Sequence, residues 1–123
     1  MKAELIFGKS NNAGVKSGTF TITENNQEIE IDTGLEDITR FVCYGICDPT
    51  NASKYHHIVI YNKIFGDVYA SARDYNGGCN GNVVNIGAIT AYCPKIISII
   101  GGKVTYKSSA DYNVTGNYYW YAE

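Results

Sequence analysis

The residues most able to do chemistry lie near the middle of the chain: the adjacent histidines His56 and His57, and the cysteines Cys43 and Cys47. Together they could hold a zinc ion, or a cysteine nucleophile could pair with a histidine base. Neighbouring side chains of a strand point to opposite faces, so the two histidines are poorly placed to share one ion. The cysteine spacing is not that of a redox or zinc-ribbon motif. The pattern favours a surface histidine beside a packed one, and small buried cysteines.

Two further patterns fall short of a site. The stretch Gly77-Gly78-Cys79-Asn80-Gly81 lacks the Gly-Lys-Ser/Thr ending of a phosphate loop and precedes no helix, so a turn in an irregular loop over Asp74–Asn82 is predicted. The acidic residues are scattered, without the Asp-x-Asp-x-Asp spacing of a calcium loop. The sequence therefore predicts no catalytic residues, no metal and no cofactor. A hydrolase or metal enzyme using His56 or His57 with a cysteine is the least favoured hypothesis.

The four cysteines, Cys43, Cys47, Cys79 and Cys93, could form two disulfides in an oxidising compartment. The first residues, Met1 to Phe7, make a poor signal peptide, which predicts synthesis in a cytoplasm. Free buried thiols are therefore favoured over disulfides.

Length and charge exclude several classes of function. The 123 residues suit one domain, residues 1–123, and the hydrophobic share of 45% is enough for a packed core. The net charge is −2 and there is no basic stripe, so nucleic acid is not an expected partner. No apolar run approaches the roughly 20 residues that cross a bilayer, so membrane insertion is not expected either.

Apolar residues recur at every second position along most of the chain, which is the period of a half-buried strand. Turn signals separate these runs, and the pattern predicts an all-β fold: a single antiparallel β-sandwich or jelly roll of about eight to ten strands. The predicted strands are Lys2–Phe7, Thr19–Thr23, Gln27–Asp32, Ile38–Ile46, Tyr55–Ile64, Asp67–Arg73, a weak Val83–Tyr92, Lys95–Ile100, Lys103–Lys107 and Asn117–Ala122.

Several pairings are also predicted. Thr19–Thr23 and Gln27–Asp32 should form a hairpin, and Asp67–Arg73 should pair with the strand before it across Phe65-Gly66. Gly101-Gly102 suits a two-residue hairpin turn in which both residues take positive φ. The strand Ile38–Ile46 is apolar on both faces, which predicts a central strand or one covered by a partner.

Aromatic residues give the best functional indication, because exposed aromatic rings stack on sugars and anchor protein interfaces. The chain has 11 tyrosines and 1 tryptophan. On the last strand Tyr118 and Trp120 share one face, and the other face is either exposed for a partner or buried as well. The candidate ligand or interface residues are Tyr75, Tyr112, Tyr119, Trp120 and Tyr121.

Four segments carry a resemblance that covers roughly residues 18–122: Gly18 to Ile22, Ile29 to Leu35 running into Ile38 to Val42, Gly101 to Tyr106, and Tyr119 to Ala122. In these segments the chain resembles the small β-sandwich virion proteins and fibre or tail modules of tailed bacteriophages, especially phages of Gram-positive hosts. The resemblance implies a structural or adhesive role, frequent trimerisation and no catalysis.

The prediction that follows is a non-enzymatic phage structural protein: a capsid decoration or head-fibre subunit, or a tail-fibre or baseplate module. It would act by self-association and surface attachment, as a homo-oligomer with a trimer favoured and with other virion proteins as partners. It would be made in the host cytoplasm and located in the virion. The alternative is a carbohydrate-binding module for host-surface glycans, in which Tyr75, Tyr112, Tyr119 and Trp120 stack on sugar rings.

Overall fold

The computed structural model describes residues 14–47, 55–73, 79–87, 93–110 and 114–123. These residues contain nine strands, which confirms the all-β prediction. In chain order they are β1 (Lys16–Ile22), β2 (Glu28–Asp32), β3 (Arg40–Cys47), β4 (Tyr55–Asn62), β5 (Asp67–Arg73), β6 (Cys79–Asn85), β7 (Lys95–Ile100), β8 (Lys103–Lys107) and β9 (Gly116–Ala122).

The strands form two antiparallel sheets. The larger has six strands in the order β1-β9-β3-β4-β5-β6, and the smaller has three in the order β2-β8-β7. One buried cluster takes side chains from both sheets, for example Phe41 and Val59 from the larger and Ile96 and Val104 from the smaller. The arrangement is a β-sandwich, as predicted.

The hairpin predicted between residues 19–23 and 27–32 is wrong, because β1 and β2 belong to different sheets. β1 pairs with β9, and β2 pairs with β8. The turn between them, in which Asn26 has a φ of 56°, carries the chain from one sheet to the other. Ile22 and Ile31 are both buried, as expected, but they enter the core from opposite sides. Alternation shows which side of a strand is apolar and does not show which sheet the strand joins.

The loop predicted over residues 74–82 is also wrong from Cys79 onward, because β6 begins there and pairs with β5. Backbone pairing with β5 forms this strand, with a register shift between Ala70 and Ala72 and a φ of 69° at Gly81, and the Tyr69 side chain lies over Gly81. β6 ends at Asn85 and a turn follows. Within the described residues, the weak strand predicted over Val83–Tyr92 therefore ends earlier than expected. Residues 74–78, and the strand predicted over Lys2–Phe7, lie outside the described residues.

Strands β3 to β6 follow one another as neighbours in the larger sheet. Phe41 pairs with Tyr61, which in turn pairs with Val68. The turn between β4 and β5 is closed by the N–H groups of Phe65 and Gly66, which donate to the Asn62 carbonyl at 3.1 and 3.0 Å. Both the pairing of β4 with β5 and the interior position of β3 confirm the predictions.

The hairpin of β7 and β8 is present as predicted, with Ile100 opposite Lys103. Gly101 takes a φ of 59°, but Gly102 does not have a positive φ, so the expectation of two such residues is wrong. Gly102 is needed for another reason: a Cβ there would collide with the Leu35 carbonyl.

Aromatic rings join the two sheets at the centre of the core. Phe20 of β1 stacks on Tyr118 of β9 with ring centroids 5.3 Å apart, and it meets Tyr106 of β8 at 5.5 Å. The Tyr118 hydroxyl donates a 2.8 Å hydrogen bond to the Val114 carbonyl, so this polar group is satisfied inside the core.

Two glycines make room for the inward rings of β9. Gly18 pairs with Trp120, and Gly45 pairs with Tyr118. A Cβ on Gly18 would lie 2.7 Å from the Trp120 ring, and a Cβ on Gly45 would lie 2.5 Å from the Tyr118 ring. Each ring therefore lies directly on the backbone of the neighbouring strand. This contact explains why glycine occurs inside two strands, where it otherwise weakens pairing.

Candidate functional site

Strand β9 sorts its aromatic side chains to the two sides of the larger sheet. On the inner side Tyr118 is buried and Trp120 is partly buried, whereas on the outer side Tyr119 and Tyr121 are 56% and 36% exposed. The predicted alternation is confirmed. The alternative of a strand buried on both sides is wrong, because more than half of the Tyr119 surface reaches solvent.

The strand register extends this aromatic surface across the sheet. Residues that pair on neighbouring strands project on the same side, so rows of side chains continue from one strand to the next. Two adjacent rows begin at β9 and cross the sheet. The first contains only aromatic and branched apolar residues from β9 to β6, and the second does so from β9 to β4 and continues with Ser71 on β5. We call them the outer face, which comprises Tyr121, Val42, Ile60, Tyr69 and Val83 in one row and Tyr119, Tyr44 and Ile58 in the other.

The outer face contains no Asp, Glu, Lys, Arg or His side chain. Removal from water raises the pKa of Tyr121, and the Glu123 carboxylate, which accepts a hydrogen bond from the Tyr121 hydroxyl, raises it further. Glu123 also pairs with Arg40 at 3.1 Å, at the ends of β9 and β3. These two opposite charges lie on the rim of the outer face, together with the exposed Asp67, which projects beside Tyr69 on β5.

The outer side of the smaller sheet is different. There Glu28 pairs with Lys107 and Asp32 pairs with Lys103 across β2 and β8. The Lys107 ammonium lies 4.0 Å from the Glu28 carboxylate, which is an ordinary solvent-exposed ion pair. By contrast, the outer face holds five of the eight large hydrophobic side chains that are exposed among the described residues. Exposed apolar surface is therefore concentrated on one side of the sandwich.

The predicted site residues do not all meet. Tyr119 and Tyr121 belong to the outer face. Trp120 instead stacks on Phe41 across the inner side, with ring centroids 6.4 Å apart. Tyr119 and Trp120 therefore cannot form one platform. Tyr75 and Tyr112 lie outside the described residues.

The residues considered for catalysis are separated by the larger sheet. His57 is 3% exposed on the inner side, and its ring lies 6.2 Å from that of Tyr118. His56 is on the outer side, where its Nδ1 lies 3.4 Å from the Tyr44 hydroxyl. The prediction of one packed and one surface histidine is confirmed. Burial raises the pKa of the Cys43 thiol far above its ordinary value, so this cysteine is protonated and unreactive at neutral pH.

The cysteines differ from the prediction in part. Cys43 is free, as expected, but Cys93 is disulfide-bonded. The expectation of free thiols was based on the cellular compartment alone, and not on which cysteines the fold brings together. The side chains of Cys47 and Cys79 lie outside the described part of the chain. Within that part, no three His, Cys, Asp or Glu side chains lie close enough to hold a metal ion.

Sequence reasoning missed Ile60, Tyr69 and Val83 as members of the outer face. They come from three successive strands, and the strand register is what places them beside Tyr121. One signal was present in the sequence: β3 is apolar on both sides, which predicts a central strand or one covered by a partner.

Comparison with protein families, with curated proteins and with solved structures finds no match for this chain. In the described ranges, no helix has the length and apolar character needed to span a membrane. The resemblance to phage virion modules therefore stays a prediction.

Proposed function

We propose that this chain is a non-enzymatic structural module of a tailed-phage virion, working by self-association and surface attachment through the outer face. One observation carries the proposal: an uncharged surface of valine, isoleucine and tyrosine crosses five neighbouring strands and is open in the single chain. Large apolar patches on soluble proteins mark interaction sites, and tyrosine is enriched where proteins meet.

The positions of the reactive side chains support a non-enzymatic role. Cys43 is buried as a thiol, His57 is packed in the core, and His56 lies on the other side of the sheet. No pair of these groups shares an open cleft in which a substrate could reach both. The disulfide at Cys93 suits a protein that works on a particle surface, because disulfides persist on virions.

The first test is the native mass of the purified protein, measured by light scattering coupled to size exclusion near neutral pH. We expect a mass above that of one chain, and a shift toward one chain when Tyr119→Lys places a charge on the outer face. A strictly monomeric protein that is also not retained by purified phage capsids or tails contradicts the proposal.

A carbohydrate-binding module for host-surface glycans is the second candidate. Tyr119 and Tyr69 are 56% and 45% exposed, so both rings could stack on sugar faces. A glycan array distinguishes this function, with Tyr69→Ser and Tyr119→Ser as variants that should lose the signal. A flat array for the unaltered protein rules it out. Trp120 fluorescence is a poor reporter for this purpose, because its ring packs on the inner side against Phe41.

A further inference from the structure

The turn between β4 and β5 carries the two most exposed large apolar side chains among the described residues. Ile64 is 87% exposed and Phe65 is 77% exposed. They are consecutive residues of the turn that separates β4, which ends at Asn62, from β5, which begins at Asp67. Both side chains therefore lie at the end of a hairpin and not on the face of a sheet. We call Ile64 and Phe65 the apolar tip.

Polar side chains separate the apolar tip from the outer face. Every second residue of a strand projects on the same side. The outward positions that follow the outer face toward the turn are Arg40 on β3, Asn62 on β4 and Asp67 on β5. All three are polar or charged, so the apolar tip is a separate surface that the contact proposed for the outer face does not use.

The backbone of the turn is prepared to leave water. The N–H of Lys63 donates to the Thr39 carbonyl at 2.9 Å, and the N–H of Ile64 donates to the side-chain oxygen of Asn62 at 3.0 Å. The N–H groups of the two residues that follow Ile64 both donate to the Asn62 carbonyl. An N–H group that is bonded within the protein does not need water, which is what an apolar environment requires. The apolar tip can therefore be desolvated without leaving one of these four N–H groups unpaired.

Charges of both signs lie in pairs beside the apolar tip. Lys63 lies 2.7 Å from Asp37, and Arg40 lies 3.1 Å from Glu123. The two cations also line a hollow of about 290 Å³ beside Ile64. A zwitterionic lipid headgroup carries one phosphate and one ammonium group, so it offers each cation and each carboxylate a group of opposite charge. The surroundings of the apolar tip thus match such a headgroup.

We infer that the apolar tip inserts into the surface of a zwitterionic lipid bilayer. Ile64 and Phe65 enter the boundary between headgroups and acyl chains. Lys63 and Arg40 remain at the level of the phosphates, because long cationic side chains keep their charge in the polar layer while their stems pack on apolar groups. This contact needs no segment that crosses the bilayer. It goes beyond the proposed function, since it concerns a different surface of the chain.

Size favours a lipid surface over a protein partner. A specific protein interface takes about 20–30 residues on each side, whereas the apolar tip offers two side chains at the end of a hairpin. A bilayer needs no matching pocket, because its lipids close around a projecting side chain. Charge favours zwitterionic lipid over anionic lipid. Anionic lipids attract segments with an excess of Lys and Arg, but both cations here have acidic neighbours and the exposed Asp67 follows the turn.

The experiment mixes the full chain with phosphatidylcholine vesicles and measures the fraction that floats with them. Ile64→Ser and Phe65→Ser should each weaken binding about tenfold or more, because each removes an apolar side chain from the contact. Ile100→Ser is the matched control, since Ile100 is 75% exposed at the turn of another hairpin, and this variant should bind like the unaltered chain. Neither added salt nor phosphatidylglycerol in the vesicles should strengthen binding. Unchanged unfolding in urea shows that each variant keeps its fold.

Phe65→Trp reports insertion directly. Its fluorescence emission should shift to shorter wavelength when vesicles are added, and lipids with brominated acyl chains should quench it. Trp120 packs against Phe41 on the inner side of the sheet, so the unaltered chain should show neither change. The new signal therefore belongs to position 65.

Vesicle binding that the two serine variants lose and the control keeps, with quenching at position 65, supports the inference. An unaltered chain that does not bind phosphatidylcholine vesicles overturns it. Binding that is lost in Tyr119→Lys but kept in Phe65→Ser also overturns it, because the lipid would then contact the outer face. Binding that appears only with phosphatidylglycerol and disappears in salt overturns the match to a zwitterionic headgroup. None of these results decides the proposed function, which depends on the native mass and on retention by phage particles.

Discussion

The two sides of strand β9 carry similar aromatic residues in opposite surroundings. On the inner side Tyr118 and Trp120 each lie on a glycine of a neighbouring strand, Gly45 and Gly18. On the outer side Tyr119 pairs with residues that have side chains of their own, Thr19 on one flank and Tyr44 on the other. The inner rings pack directly on the backbone of the neighbouring strands, whereas the outer rings project toward solvent.

The difference between the two sides of β9 distinguishes aromatic residues that stabilise the fold from aromatic residues that are free to contact a partner. A glycine in register with an aromatic ring indicates that the ring fills space within the domain. A ring without such a glycine, on an uncharged face, is available for binding. The inner side of β9 should therefore determine the stability of the chain, and the outer side its association.

The largest effect is expected at Tyr118. Its ring packs against both Phe20 and Tyr106 at the centre of the core, so Tyr118→Ala should lower the free energy of unfolding by about 3–5 kcal/mol. Urea unfolding at a low protein concentration measures this loss without a contribution from association. A loss below about 1 kcal/mol would show that the inner side of β9 is not central to stability.

The glycine contact at Trp120 is the next test. Gly18→Ala places a methyl group 2.7 Å from the Trp120 ring, and we expect a loss of about 1–3 kcal/mol from overpacking. The penalty should be much smaller in the background of Trp120→Leu, because the atoms that collide with the new methyl group are then absent. A double-mutant cycle gives this coupling. Equal penalties in both backgrounds contradict the proposed contact.

Lys95 tests whether burial, or the side of the strand on which a residue lies, determines how strongly that residue affects the stability of the chain. It pairs with Lys107 on the outer side of the smaller sheet, yet it is only 2% exposed. Burial, and then the nearby Lys107, lower the pKa of Lys95 below its ordinary 10.5. We expect Lys95→Met to stabilise the chain by about 1 kcal/mol at pH 7, because it removes a charge that is costly to bury.

The pH dependence gives the sign of the Lys95 effect independently. As the pH rises toward 10.5, the folded state loses the Lys95 proton before the unfolded state does, so the unfolded state binds more protons and stability increases. The advantage of Lys95→Met should therefore shrink between pH 7 and pH 10.5. Lys103→Met, on the exposed part of the same sheet, is the control and should change stability by less than about 0.5 kcal/mol at either pH. A constant advantage across this range contradicts the role assigned to burial.

The sequence predicts much of this comparison but not all of it. Alternation along β9 places Tyr119 opposite Tyr118 correctly, because a strand has a strict period of two. It fails for the hairpin of β1 with β2, since the apolar side of a strand does not specify its sheet. Alternation also fails at Cys79, where backbone pairing with β5 forms a strand that the side-chain pattern does not predict. The outer face spans five strands, so its extent depends on registers that are set by turns and by packing across the core.

The smallest effect on stability is expected on the outer side of β9, and it is the sharpest test of the comparison. Tyr119→Ala should change the free energy of unfolding of the dilute protein by less than about 0.5 kcal/mol, because the side chain is 56% exposed and fills no space in the core. If the outer face binds a second copy, the melting temperature of the unaltered protein rises with concentration, since association stabilises only the folded state. Tyr119→Ala should abolish that rise, whereas Ile100→Ala, a comparably exposed change on the other sheet, should preserve it. A rise that is identical in all three proteins would place the interface elsewhere, and a large loss of stability in dilute Tyr119→Ala would show that the outer rings also build the fold.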